Sequence, residues 1–478
     1  MRRMKKREAA LRSVPVYQEK ANTKFRDNLI LRIVKLMNVV VITIPFAACW
    51  LGYYSVHVYD PFYDKGNWVI IAAFSIFYAV YGRVYDAFLI SINRISEIIY
   101  SQGLSAFIAD VISYIIIWVL SRRFPNAFPL LAVFASQILL SAGWACASHK
   151  WYFGKFAPKK SAIIYGAWDS IDELVREYGL DKKFQIMDSG EADQCIKKHL
   201  RILNGKKTVF LCDVSSHERN IILKQCIAQG IGVYVIPRIG DVIMSGAKRM
   251  HMFHLPILFV ERYNPTPEYL FIKRSFDIAV SAAALVIFSP IMLLTAAAVR
   301  LTDGGPVFYR QCRLTQNGRK FNILKFRSMR VDAESDGVAR LSAGDQDDRI
   351  TPVGGVIRKV RIDELPQLFN ILEGSMTIVG PRPERPEIAS QYEENLPEFA
   401  LRLQAKAGLT GMAQVYGKYN TTPYDKLKMD LMYIANSSIL EDLQIMFATV
   451  KILFLPESTQ GVEKGQTTAA ENRQREVK

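Results

Sequence analysis

The sequence predicts a membrane-embedded α-helical bundle joined to two α/β units, the second of them anchored by one further apolar helix. Three observations carry this. Half of the 478 residues are hydrophobic and only 22% are charged, which is apolar for a soluble chain and polar for one made only of membrane spans. Four apolar segments crowd the first third, and a fifth stands apart at Ile278–Val299. Elsewhere short apolar strands alternate with polar helical stretches, the pattern of α/β units.

Residues 1–35 are strongly basic, with Arg2, Arg3, Lys5, Lys6 and Arg7 leading into Lys20, Lys24 and Arg32. A cleavable signal would place its apolar core much nearer the start, so this reads as a retained cytoplasmic tail. The bundle is expected over residues 36–150, with apolar segments Leu36–Tyr54, Trp68–Tyr81, Leu104–Leu120 and Phe128–Ala147. A spanning helix needs about 20 apolar residues, which the first and fourth supply comfortably. The second is short before Arg83, and the third contains Asp110. Loop charge decides the count. Ser55–Asn67 carries Asp60 and Asp64 against Lys65 and suits the outside, whereas Lys150, Lys155, Lys159 and Lys160 suit the inside. Basic flanks at both ends require an even number of crossings, hence four, although Arg122 and Arg123 then lie outside. Asp110 is expected in the bundle interior or at a helix end, with substrate handling as the alternative that any intramembrane acid raises.

Residues 160–262 read as a Rossmann-like unit. Ala162–Tyr165, Thr208–Cys212 and Val233–Ile236 are expected strands of a parallel sheet, and Ile171–Tyr178 and Glu218–Gln229 helices. Of a dinucleotide fingerprint, Gly166-Ala167-Trp168-Asp169 keeps only the first glycine, so a structural role is the expectation. Residues 265–457 form the second unit, and residues 458–478 a polar tail expected to be disordered. The fifth apolar segment contains Ser289-Pro290, where a proline should kink a helix. A full crossing would send the charged C-terminal half outside. A re-entrant helix over about residues 275–301, turning at Ser289-Pro290, keeps it on the cytoplasmic side.

The net charge of +16 fits nucleic acid, anionic lipid or a phosphorylated substrate. No zinc-finger spacing or RNA-binding signature is present, so nucleic acid is not an expected partner. The six cysteines are scattered without a CxxC pair and read as reduced thiols. The chemistry-bearing residues lie in the last 200 or so positions: Lys325-Phe326-Arg327-Ser328-Met329, Asp347-Asp348-Arg349, Arg358 to Asn370 with Asp363-Glu364 at its centre, and Gly380-Pro381-Arg382-Pro383-Glu384. Cations recurring beside two adjacent carboxylates can bind a diphosphate, hold Mg²⁺ and offer a nucleophile. Each element also has a plain reading. Asp363 could be a helix N-cap, Lys325 and Arg327 could flank a half-buried strand, and Pro381-Arg382-Pro383 could be a rigid loop.

These motifs, in this order, resemble the bacterial sugar transferase family, the polyprenyl-phosphate sugar-1-phosphate transferases. The resemblance runs from Tyr269 to Phe454 and includes Lys273-Arg274-Ser275-Phe276-Asp277, Gly305-Pro306-Val307-Phe308, Asp363-Glu364-Leu365-Pro366-Gln367 and Gly408-Leu409-Thr410-Gly411 through Gln414-Val415. The first half resembles the front of the family's large members: a four-helix bundle and a Rossmann-like domain before a mixed α/β transferase domain with a re-entrant membrane helix. The resemblance implies transfer of a sugar-1-phosphate, glucose or galactose with glucose first, from a UDP-sugar to polyprenyl (undecaprenyl) phosphate. UMP is released and the mechanism is ping-pong. It implies Asp363 as nucleophile, Glu364 as Mg²⁺ ligand, and Lys325, Arg327, Arg358, Pro381, Arg382 and Pro383 as phosphate- or nucleotide-binding residues. Membrane lipids and a second copy of the chain are further expected partners. The implied place is the bacterial inner membrane with the site facing the cytoplasm, in exopolysaccharide or capsule synthesis.

Two departures stand out. Thr315 occupies a position where the family often has glycine, and Lys406-Ala407-Gly408 replaces its usual Lys-Pro-Gly. Two rival readings are a membrane sugar-nucleotide dehydratase or epimerase and a non-catalytic scaffold for glycan assembly. Tyr424 and Lys428 have the dehydratase spacing but lie far from the Rossmann-like unit. Intact Asp363, Glu364 and Arg382 speak against the scaffold.

Overall fold

A computed structural model describes residues 21–62, 65–166, 183–252, 254–331, 349–417 and 421–453. The helix expected at Ile171–Tyr178, the Asp347-Asp348 pair, the start of the basic tail and the polar C-terminal tail lie outside them. The chain divides into two compact units, Met1–Pro237 and Arg238–Lys478.

The first unit opens with four long helices: α1 (Ala21–Gly52), α2 (Gly66–Val84), α3 (Ile95–Ser121) and α4 (Phe128–Lys155). All four are long and apolar enough to cross a membrane. The second, which the sequence left short, reaches 19 residues because the helix continues past Tyr81 through Gly82-Arg83-Val84. The interior is packed by Ile42, Phe46, Trp50, Phe74 and Ile117, with the Phe46 and Phe74 rings stacked at 4.2 Å. Two polar pairs cross between elements of the bundle, each sparing a buried group the cost of an unmade bond. The Tyr78 hydroxyl donates to Asn38 Oδ1 at 2.8 Å, and Trp50 Nε1 donates to Asn67 Oδ1 at 3.0 Å. Asp110 lies in the buried interior of α3, beside the turn of Ala106 and Ala109.

An α/β segment completes this unit: β1 (Lys159–Tyr165), β2 (Phe184–Glu191), α5 (Ala192–Lys197), β3 (Thr208–Cys212), α6 (Ser216–Ala228) and β4 (Gly232–Val235). The sheet is parallel in the order β2-β1-β3-β4. The sequence pattern passed over β2 because only Phe184 is buried along a strand rich in polar residues. Gly166 has a packing reason to be glycine: a Cβ there would stand 2.3 Å from the Asp213 carbonyl oxygen.

The second unit begins with α7 (Ile239–Ser245) and the hairpin β5 (Lys248–Met252)–β6 (Leu255–Phe259). Then comes α8 (Pro267–Asp303), a helix of 37 residues, about 55 Å at 1.5 Å per residue. It starts on a Thr266 cap and ends at Gly304, whose φ of 69° is the left-handed turn that stops a helix. Pro290 lies inside one uninterrupted helical element. The antiparallel pair β7 (Phe308–Leu314) and β8 (Lys320–Phe326) follows, then α9 (Pro352–Lys359), α10 (Gln367–Glu373), β9 (Thr377–Val379), α11 (Pro386–Asn395), β10 (Gly408–Thr410), α12 (Met412–Tyr416), α13 (Pro423–Asn436) and α14 (Ile439–Leu453). β9 and β10 pair in parallel. Ile371, Met376, Val379, Phe399, Leu427, Leu431 and Ile445 form the main core, which also takes in Val242 of α7. A second, smaller core joins Met292 and Val299 of α8 to Phe326 and Ile357, with Ile362 and Leu365 packed against it.

Candidate active site

The turn that carries Asp363 and Glu364 is set by its flanks. Arg361 adopts a left-handed backbone (φ 54°), unusual for a non-glycine residue, and Ile362–Glu364 form one 3-10 turn. Ile362 and Leu365 anchor this turn on the α8 core. The N-cap reading of Asp363 does not hold, because α10 starts at Gln367 behind Pro366. Neither acid therefore caps α10.

Lys325 arrives on β8, whose register is fixed by Asn370 of α10. The Asn370 side chain accepts from Leu324 N–H at 2.9 Å and donates to the Asn322 carbonyl at 3.0 Å. Lys325 Nζ then donates to Glu364 Oε1 at 3.1 Å, and Arg382 Nη2 donates to the same oxygen at 2.8 Å. Two sequence-distant cations thus meet on one carboxylate. Arg358, in the last turn of α9, contributes its charge to Asp363.

The electrostatics separate the two acids. Burial, then the neighbouring Glu364 charge, pushes the Asp363 carboxyl up to about 6, against the pull of Lys325, Arg358 and Arg382. Burial would raise Glu364 too, but Arg382 and Lys325 outweigh it and hold that carboxyl well below the usual range. Burial draws the Lys325 ammonium down, with Glu364 opposing.

The Arg382 loop is held from three sides. β9 delivers it, and Asp277 of α8, itself buried, accepts from Ile378 N–H at 3.0 Å and Thr377 Oγ1 at 2.7 Å. Lys273, one helical turn earlier, donates to the Val379 carbonyl at 3.0 Å and to Asp442 at 2.8 Å. Arg402 donates to the Arg382 carbonyl at 2.9 Å and to Asp430 at 2.8 Å, while Arg313 donates to the Pro383 carbonyl at 3.2 Å. Glu384 closes this cluster. Burial alone would raise it, but Lys426, Arg402 and Arg313 bring it to about 2. Gly380, Gly408 and Gly411 cross so closely that a Cβ on any of them would stand under 2.5 Å from another backbone atom. Pro381 and Pro383 are buried at either side of Arg382, which fixes the loop.

The remaining expected residues lie elsewhere. Arg327, at the end of β8, is buried and paired with Asp303 at the end of α8. Ser289 and Pro290 are exposed in mid-α8. The sequence motifs include Asn370 and Glu384 without assigning them a role, and they do not include Arg402 or Asp430. Asp277 had a signal, since it stands at helical spacing from Lys273 at the head of an apolar helix. The two departures prove to be coupled: the Ala407 N–H donates to Thr315 Oγ1 at 3.1 Å, and Thr315 donates to the Ser375 carbonyl at 2.9 Å. A proline at 407 would have no N–H to give, and a glycine at 315 no hydroxyl to take it.

A divalent ion fits this donor set in one way. Among the described residues no group of three His, Cys, Asp or Glu side chains could hold a metal. Mg²⁺ commonly binds through one or two carboxylates plus substrate phosphates, and Asp363-Glu364 supply that number. The arrangement can therefore receive a magnesium diphosphate and present a buried carboxylate to it.

Residues 268–456 match the family described as bacterial sugar transferase. The UDP-N-acetylgalactosamine-undecaprenyl-phosphate N-acetylgalactosaminephosphotransferase of Aeromonas hydrophila is 39% identical over 234 residues, 48% of this chain and 54% of that protein. The chain thus spans about half the length of that relative. A sugar transferase of Haemophilus influenzae, described as uncharacterized, is 30% identical over 360 residues, 68% of this chain and 73% of that one. The UDP-glucose:undecaprenyl-phosphate glucose-1-phosphate transferase of Caulobacter vibrioides is 39% identical over 191 residues, 39% of this chain and 71% of that one.

Proposed function

Because this chain belongs to the bacterial sugar transferase family, we propose that it moves a sugar-1-phosphate from a UDP-sugar to polyprenyl (undecaprenyl) phosphate, through a covalent intermediate on Asp363. The observation that carries this is the division of the acid pair. Lys325 and Arg382 both bond Glu364, so their charge sits beside Asp363 while their hydrogen bonds go to its neighbour.

The sequence of events follows from that division. The diphosphate is drawn in by Arg382, Lys325 and Arg358, and guanidinium matches phosphate in bidentate fashion. Glu364 would be the residue that holds Mg²⁺, and the ion would supply positive charge against the phosphate oxygens. An Asp363 carboxylate oxygen attacks the sugar-bearing phosphorus, the bridging P–O bond breaks, and UMP leaves with its electron pair. An oxygen of the lipid phosphate then attacks the same phosphorus and the Asp363 carboxylate departs, leaving polyprenyl diphosphate-sugar. The relatives' names divide between N-acetylgalactosamine and glucose. Glucose remains the first sugar to test, with N-acetylgalactosamine and galactose beside it.

The lipid step needs the site at a membrane surface, and here re-entry of α8 enters the proposal. Its first turns are bound through Lys273, Arg274 and Asp277, and its last turns through Val299 and Asp303, to the same globular unit. A straight crossing would part the two ends by the roughly 30 Å hydrocarbon core. Between them Val286, Ile287, Leu293 and Leu294 stand exposed, as lipid-facing residues would. The basic flanks of the bundle support a cytoplasmic face of the bacterial inner membrane. The deciding experiment is UMP release from UDP-sugars in membranes supplied with polyprenyl phosphate. Wild type should release UMP and carry a phosphosugar adduct by mass spectrometry. Asp363→Asn should do neither, and near-normal turnover in that variant would reject the proposal.

A further inference from the structure

We infer that Arg327 is a positioning residue: through Asp303 it holds the outgoing limb of α8 beneath the Asp363-Glu364 turn. The inference rests on the reading of Asp363 as the reacting acid.

Three observations converge on it. The Arg327 guanidinium is 7% exposed and its Nη2 is paired with Asp303, the last residue of α8. Its backbone N–H bonds the Val307 carbonyl at 3.0 Å, tying the end of β8 to the chain that leaves α8. The space around the guanidinium is shaped by glycine: a Cβ on Gly305 would stand 1.8 Å from Arg327 Nη1. That Nη1 is buried without a hydrogen-bond partner among the described residues, so the packing tolerates a cost to keep the side chain there.

The limb that this pair fixes is the floor of the site. Met292 and Val299 of α8 pack with Phe326 and Ile357, and the same cluster takes Ile362 and Leu365, the residues on either side of the acid pair. A shift of the helix end would move Asp363 relative to Lys325, which is anchored separately through Asn370. Displacing a reacting group by about 1 Å can cost on the order of 100-fold in rate. Arg327 thus acts on the reaction through the α8 end, and the phosphate contacts fall to Lys325, Arg358 and Arg382.

The test is steady-state UMP release by the full chain in membranes, with UDP-sugar varied and polyprenyl phosphate saturating. Arg327→Met, Asp303→Asn and Gly305→Ala should each lower kcat by roughly 10- to 100-fold, with KM for the UDP-sugar within about threefold of wild type. Gly305→Ala is the most telling, because it displaces the guanidinium without altering any charge. The exchange Asp303→Arg with Arg327→Asp should recover most of the lost kcat. A tenfold or greater rise in KM with kcat unchanged in Arg327→Met would mean that the guanidinium touches substrate, and would overturn the inference. So would wild-type kcat in Asp303→Asn, or a folded exchange variant no more active than the single ones. If the exchange variant does not fold, the near-isosteric Asp303→Asn and Gly305→Ala still decide. Silent wild type with every UDP-sugar would instead count against the proposed function.

Discussion

Replacing Asp363 with Asn should abolish turnover and, at neutral pH, make the protein more stable. Asp363 is 9% exposed, and burial with the Glu364 charge lifts its carboxyl from 3.8 to about 6. A folded-state value above the unfolded one means the folded protein favours the protonated acid. The corresponding stability is fully present below about 3.8 and is lost as pH rises through about 6. At pH 7.5 the ionised side chain is therefore a burden. About two units at 1.36 kcal/mol per unit make it roughly 3 kcal/mol. Asn keeps the shape and removes the charge. The assay is the unfolding midpoint of wild type and Asp363→Asn in lipid nanodiscs from pH 4 to 8, with UMP release run in parallel. The mutant should be the more stable above pH 6, and the gap should close toward pH 4. An Asn variant less stable than wild type above pH 6, with the deficit shrinking toward pH 4, would refute the reasoning, since it would mean that Lys325, Arg358 and Arg382 favour the ionised acid.

Wild-type UMP release should rise with pH through about 6, because the nucleophile must lose its proton. Glu364→Gln removes a charge that raises Asp363 and frees two cations that lower it, so the rising limb should move about one unit or more toward acid while kcat falls; an unmoved limb would detach the limb from Asp363. Cysteines at the exposed positions Phe271 and Leu301 of α8 should label from the same face of sealed vesicles; labelling from opposite faces would exclude re-entry. Thr315→Gly should lower stability by about 1–3 kcal/mol by leaving the Ala407 N–H buried without its acceptor, and adding Ala407→Pro should restore it. An equal loss in the single and double variants, by thermal unfolding, would show the two positions to be independent. Arg402→Met should cost roughly 3–5 kcal/mol because Asp430 is left charged and buried, and Asp430→Leu in the same chain should recover much of it.

Several parts of this protein could be read from local pattern. The four early apolar runs became α1–α4 because length and hydropathy alone decide whether a helix can span a bilayer. The strands at Ala162–Tyr165 and Thr208–Cys212 were legible because a parallel sheet buried on both faces leaves continuous apolar runs. β2 was not, since it lies at the sheet edge and most of its side chains meet solvent. From the residues alone Asp363, Glu364, Lys325 and Arg382 read as a set that suits a diphosphate, and the family resemblance supplies their expected roles. Their mutual geometry was not legible, because each arrives on a different element.

Residue type and local order thus determined the spans, the strand-helix alternation and the inventory of acids and cations. Only the tertiary structure decided which acid takes the cations, that Arg327 turns to Asp303, that Arg402 and Asp277 hold the Arg382 loop, and that Thr315 and Ala407 answer one another. The reason is physical. Propensity and hydropathy act over a few residues along the chain. Ion pairing and close packing act over a few ångströms in space, and here they join residues from 18 to 101 positions apart.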